Sequence, residues 1–113
     1  MTLYHGTSRE SWTPHAGACL VDDERVARQY SRGGTVYTVE VGAGLAVMSA
    51  DVDQARRAEM DYPGDRADER AEMVEDGWDA VTYPDETETG RQHVCYRLLS
   101  DDAVAACVVT DAE

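Results

Sequence analysis

The heptapeptide Thr35-Val36-Tyr37-Thr38-Val39-Glu40-Val41 alternates with period two, with Gly33-Gly34 before it and Gly42-Ala43-Gly44 after it. Successive side chains of a strand point to opposite faces, so Tyr37, Val39 and Val41 share one face and Val36, Thr38 and Glu40 the other. No other segment of the chain constrains the fold as closely, and the remaining elements are short pieces set around it.

Leu3-Tyr4-His5 reads as a first strand ended by Gly6, and Ser8 to Gly17 as a loop in which Trp12 covers something apolar. Ala18-Cys19-Leu20-Val21 is a short apolar strand. Asp22 or Asp23 then caps a helix, its carboxylate accepting from an unpaired first-turn N–H. That helix carries Val26, Ala27 and Tyr30 on one face and ends before Gly33-Gly34. Leu45 to Met48 continues after the glycine turn. Ser49 is placed to cap a helix through about Met60, and Pro63-Gly64 separates it from a second helix, about Asp65 to Asp76, with Ala67, Ala71 and Val74 on one side. Trp78 to Tyr83 reads as a strand, Pro84 to Gly90 as a polar loop, and Val94 to Leu99 and Val104 to Val109 as two closing strands joined through Ser100-Asp101-Asp102. Strands without regular crossover helices indicate an α+β fold rather than a doubly wound parallel sheet, and 113 residues suit one domain, residues 1–113.

Ten arginines, no lysine and 23 acids give a formal net charge of −13. Such a surface repels nucleic-acid phosphates and anionic membranes and favours basic protein partners. The first residues carry neither a basic nor an apolar leader and no apolar run spans a membrane, so the expected location is the cytoplasm. Cys19, Cys95 and Cys107 are an odd count without paired spacing, which suits reduced thiols. His15-x3-Cys19 and His93-x-Cys95 read as inward strand side chains rather than ligands, and no metal is expected. Phosphate-loop, dinucleotide-fingerprint and nucleophile-elbow motifs are absent from the sequence, and without lysine there is no Schiff-base chemistry.

Three pieces carry candidate chemistry. Tyr4-His5-Gly6-Thr7-Ser8 puts an imidazole, a bare backbone and hydroxyls at the end of the first strand, suited to a sugar and a flat heterocycle. Leu20 to Ser31, followed by Thr35 to Val39, is a strand–helix–strand unit able to hold Tyr30 over a cleft. Tyr83-Pro84-Asp85-Glu86-Thr87-Glu88 is an acidic loop directly after a strand.

In this order the pieces resemble the ADP-ribosyltransferase superfamily, in its histidine–tyrosine–acid branch, which includes diphtheria-toxin-like and poly(ADP-ribose)-polymerase-like enzymes. Tyr4-His5-Gly6-Thr7 is similar to the first motif of that branch and Cys19 to Val39 to the second. Gly77 to Leu98 resembles the end of a small phage-encoded anti-CRISPR ADP-ribosyltransferase, a match that makes Asp85 the catalytic acid. The resemblance implies a split β-sheet with short helices and NAD as co-substrate. It implies that His5 bonds the nicotinamide-side ribose, the Gly6 backbone holds the carboxamide, Thr7 contacts nearby polar groups, Tyr30 stacks on the nicotinamide and Asp85 steadies charge at the anomeric carbon. Arg9 or Arg32 is assigned to the pyrophosphate on charge alone. Ala27 stands where polymerase-like relatives often carry a serine. Glu86-Thr87-Glu88 is an E-x-E run like that of the arginine-specific branch, so Asp85, Glu86 and Glu88 compete for one role. The expected function is NAD-dependent ADP-ribosyl transfer to an intracellular acceptor, a protein rather than a nucleic acid, in a phage- or toxin-type effector. The alternatives are an NAD glycohydrolase using the same site, a nucleotide binder without turnover, and a non-enzymatic acidic decoy that mimics nucleic acid.

Overall fold

The computed structural model describes residues 1–50 and 65–113, which form a single α+β domain. Its strands are β1 (Thr2–Thr7), β2 (Cys19–Val21), β3 (Thr35–Val41), β4 (Val47–Ser49), β5 (Ala80–Glu86), β6 (Gln92–Leu98) and β7 (Cys107–Ala112). They form one sheet in the order β4-β5-β6-β2-β1-β3-β7, parallel between β4 and β5 and antiparallel at every other seam. The seam between β1 and β2 is the thinnest, pairing only Tyr4 with Val21. Three helices are described, α1 (Glu24–Ser31), α2 (Asp65–Glu75) and α3 (Asp101–Ala105).

The register divides the core between two faces of the sheet. Leu3, Leu20, Val39, Val41, Tyr96 and Leu98 pack on one face, with Ala103 of α3 and the Trp12 loop over them. Val21, Val36, Tyr83 and Cys95 pack on the other, beneath Val26 and Ala27 of α1. Val81 and Leu99 continue that second face toward Met73 of α2 and Trp78.

Helix α1 starts where the sequence indicates. Asp23 is the N-cap, accepting from the Arg25 N–H at 2.9 Å. It ends at Arg32, whose left-handed backbone (φ 50°) precedes Gly33 (φ 84°). The helix is held against the sheet by Gly6, because a Cβ there would lie 1.7 Å from the Ala27 carbonyl oxygen. Gly6 therefore does not end β1, which runs on to Thr7 with Gly6 paired to Val36. The bare Cα serves the approach of the helix.

Other expectations are corrected. β5 does not stop at Tyr83 but runs through Pro84 and Asp85 to Glu86. Beyond Thr82 it pairs only with β6, so the missing N–H of Pro84 costs no ladder bond. The turn proper is tighter, with the Thr87 N–H donating to Arg91 O at 3.0 Å and Gly90 in the left-handed region. Val104 belongs to α3, not a strand. Ser100 caps that helix by accepting from the Ala103 N–H at 3.0 Å, while its own hydroxyl donates to Asp79 at 2.7 Å. Ser49 ends β4, and the helix expected from there to about Met60 lies outside the described residues. On α2 it is Met73 that packs inward, whereas Ala71 and Val74 are exposed. No helix among the described residues is long and apolar enough to cross a membrane.

Overpacking against backbone cannot relax by a rotamer change. Gly6→Ala should therefore cost about 3 kcal/mol or more in urea denaturation. Gly33→Ala meets nothing within 4 Å and carries only its backbone strain, which should amount to about 1 kcal/mol. Equal losses at the two positions would refute the packing account of Gly6.

Candidate functional site

Two cross-strand pairs of the β5–β6 hairpin, Asp85 with His93 and Tyr83 with Cys95, lie on the face that α1 covers. The hairpin is tied to that helix at both helix ends. The Arg91 guanidinium donates to Asp23 at 2.9 Å, and the Gln29 amide donates to the Thr89 hydroxyl at 3.1 Å. The Arg91 hydrogen bond, followed by the Arg25 N–H, holds the Asp23 carboxyl below the usual carboxylate range.

These ties bring three side chains together. The Cys95 thiol lies 3.5 Å from His93 Nε2 and 3.7 Å from Asp85 Oδ2, and His93 Nε2 lies 4.0 Å from the same carboxylate oxygen. The Glu86 N–H donates to the other oxygen, Oδ1, at 2.8 Å. The Tyr30 hydroxyl approaches His93 Nε2 at 3.5 Å, with the two rings edge to face at 6.0 Å. Burial first, and the Asp85 charge second, push the Tyr30 phenol up to about 12, so it is a neutral donor at neutral pH.

Beneath this group lie two thiols, the half-buried Cys19 and the buried Cys95. Cys19 and Cys95 share a hydrogen bond that favours charge on Cys19, lowering its thiol and raising that of Cys95, which burial raises further. The Arg97 guanidinium also favours the Cys19 thiolate. Arg97 donates to Gly17 O at 2.7 Å and to the Tyr83 hydroxyl at 3.0 Å, while its Nε is buried without a partner.

Three cavities surround Tyr30. One of about 650 Å³ is lined by Asp22, Asp85, Glu86, Gln92 and His93. One of about 170 Å³ is lined by Tyr4, His5, Gly6, Cys19, Val21 and Tyr30. A third, of about 290 Å³, has Tyr30, Arg32 and Glu88 in its wall. Tyr30 thus lines two cavities and touches a wall residue of the largest.

His5 is placed differently. Its cross-strand partner is Tyr37, on the face opposite Asp85, and its ring stacks on Trp12 at 4.0 Å and 14°. Its Nδ1 lies 2.9 Å from Cys19 O at the thin β1–β2 seam, and burial lowers its pKa. The buried indole N–H of Trp12 has no partner among the described residues. Thr7 accepts from the Arg9 N–H at 3.1 Å and so braces its own loop. The structure joins Tyr30 to Asp85 on one side and to His5 on the other, while His5 and Asp85 line different cavities. Of the competing acids, Asp85 is the one against His93 and Cys95; Glu88 stands with Arg32.

Sequence reasoning set His93, Cys95 and Cys19 aside as metal ligands and did not single out Arg97. The available signal was the i,i+2 spacing of His93 and Cys95, which puts both on one face of a strand. Comparison with known protein families, with curated proteins and with solved structures returns no match.

Because burial favours neutral His5, its contribution to stability is present above its unfolded pKa of 6.5 and is lost as pH falls below that toward the folded value. His5→Gln keeps a donor for Cys19 O and removes the titration. From pH 7 to pH 5 the wild type should therefore lose more stability than His5→Gln, read by urea midpoints; parallel profiles would contradict the buried, neutral imidazole.

Proposed function

We propose that this protein is an NAD-dependent ADP-ribosyltransferase in which Asp85 is the acid, Tyr30 the nicotinamide platform, and His5, Gly6 and Thr7 the ribose and carboxamide contacts. One observation carries the reading. The Tyr30 ring, 45% exposed one turn beyond the buried Val26 and Ala27, lines the cavity of His5 and Gly6, while its hydroxyl reaches His93 beside Asp85. The thin seam between β1 and β2, spanned by His5 Nδ1, supports a sheet that opens there as the superfamily's split sheet does.

The chemistry asks little of the fold beyond this. Cleaving the nicotinamide–ribose bond passes through an oxocarbenium-like state, and a fixed carboxylate acts when that charge appears. The Asp85 side chain is 45% exposed at the cavity of about 650 Å³, within reach of a ribose hydroxyl there. A charge-assisted hydrogen bond at that moment contributes about 1.5–3 kcal/mol, roughly ten- to a hundredfold in rate. NAD is anionic, and this chain carries a formal −13, so a local cation is needed for the pyrophosphate. Arg32, in the wall of a Tyr30 cavity, suits that role better than Arg9, which stands on the exposed loop after β1. His5 meets a sugar only after its ring parts from Trp12. The acidic surface favours a basic protein acceptor over nucleic acid.

Labelled NAD incubated with the protein and a bacterial lysate tests the proposal. Label should pass to a discrete acceptor band. Asp85→Asn should slow transfer roughly ten- to a hundredfold, whereas Glu86→Gln and Glu88→Gln should leave it near wild type. Tyr30→Ala should raise KM for NAD more than Tyr30→Phe does, since the phenylalanine keeps the stacking face. Free ADP-ribose as the sole product would assign water as the acceptor. An absence of NAD turnover, with the biological effect kept in Asp85→Ala, would replace the enzyme by the acidic decoy.

A further inference from the structure

We infer that Asp85 Oδ2, His93 Nε2 and Cys95 Sγ form a binding site for a zinc-class divalent ion, with the fourth coordination position open to the cavity of about 650 Å³. The inference is independent of the nucleotide reading, because it concerns what the three atoms can hold rather than what is transferred. These atoms all lie within 4.8 Å of one another.

The spacing is that of a ligand set. Zinc bonds of about 2.3 Å to sulfur and about 2.0–2.1 Å to nitrogen and oxygen put tetrahedral ligands roughly 3.3–3.6 Å apart. The sulfur–nitrogen and sulfur–oxygen separations, 3.5 and 3.7 Å, already match, and only the nitrogen–oxygen separation of 4.0 Å must close slightly. A mixed sulfur, nitrogen and oxygen set selects zinc over magnesium or calcium, which take oxygen.

The supporting contacts suit ligation. His93 Nδ1 faces Arg91 O at 3.4 Å, so the tautomer that donates there leaves the Nε2 lone pair toward Cys95 and Asp85. Cys95 and His93 are buried, while the Asp85 side chain is 45% exposed and lines the cavity from which an ion and a water would enter. Charge also balances. A Cys95 thiolate and the Asp85 carboxylate would together neutralise a divalent ion. The same three residues do not suit nucleophilic catalysis, because Cys95 at 2% exposure presents no sulfur to a substrate.

The test uses the full chain, reduced and metal-free, titrated with Co²⁺ and then with Zn²⁺, without NAD. One equivalent of Co²⁺ should bind, with the visible bands of a tetrahedral site and a sulfur-to-cobalt charge-transfer band, and Zn²⁺ should displace it. Asp85→Asn, an exposed substitution that spares the core, should weaken Zn²⁺ binding by more than about 100-fold, beyond the loss from a supporting contact alone. Cys95→Ser should abolish the charge-transfer band, and Cys107→Ser, at a cysteine outside the group, should change nothing. Circular dichroism of each variant checks its fold. Absence of the charge-transfer band in the wild type would overturn the inference. So would Zn²⁺ binding undiminished in both Asp85→Asn and His93→Gln, which would assign the ion to the acidic surface.

Discussion

The placement of the Ala27 carbonyl against the bare Cα of Gly6 fixes the distance between α1 and β1, and the site inherits its geometry from that distance. The helix has eight residues, and its sheet-facing side is little more than Val26, Ala27 and Ser31. Isolated helices this short are unstable in water, so its direction comes from docking and capping. One turn after Val26, Tyr30 leaves the buried face just where β6 presents His93. A side chain at position 6 would lift the helix and take the Tyr30 hydroxyl away from that ring. The Arg91–Asp23 and Gln29–Thr89 contacts then hold the hairpin to the helix, so Asp85 and Tyr30 keep a common frame although 55 residues part them in the chain.

What the sequence made legible was local. The period of Thr35–Val41, a cap at Asp22 or Asp23 and the stop before Gly33 depend on neighbouring residues, and the structure keeps all three, with Asp23 as the cap. The misread segments depend on distant partners. Pro84 looks like a strand terminator until it is known that only one edge of β5 is paired there. Val104 fits a strand by composition, but Ser100 bonded to Asp79 sets a helix going first. Gly6 has a pattern common to turns and ligand loops, and the carbonyl that requires it comes from a helix 21 positions away.

The candidate site divides along the same line. Tyr30 and Asp85 were readable as a helix aromatic and an acid following a strand, and they do come near each other through His93. Which residue would face Asp85 depended on the β5–β6 register, which no spacing along the chain encodes. A turn shifted by one residue would have faced Asp85 with Val94 or Gln92. His5 shows the reverse case. The alternation of β1 stacks its ring on Trp12, and it reaches the Tyr30 cavity at the thin β1–β2 seam.

Electrostatics inside the fold run against the overall charge. With a formal −13 the surface repels anions, yet the half-buried Arg97 guanidinium is held between Gly17 O and the Tyr83 hydroxyl and helps to lower the neighbouring Cys19 thiol. Asp85 lies at the outer rim of that arrangement, and its two oxygens are not equivalent. Oδ1 accepts the Glu86 N–H, while Oδ2 faces Cys95 and His93. A ribose hydroxyl and a zinc-class ion would both draw on Oδ2, so the two uses exclude each other on one molecule. At an ion concentration 100 times its dissociation constant, the free carboxylate is reduced about 100-fold, roughly 2.7 kcal/mol. That is as large as the charge-assisted bond Asp85 would contribute to transfer, about 1.5–3 kcal/mol. An ion at this position would therefore be sufficient to silence the carboxylate without any change in the fold.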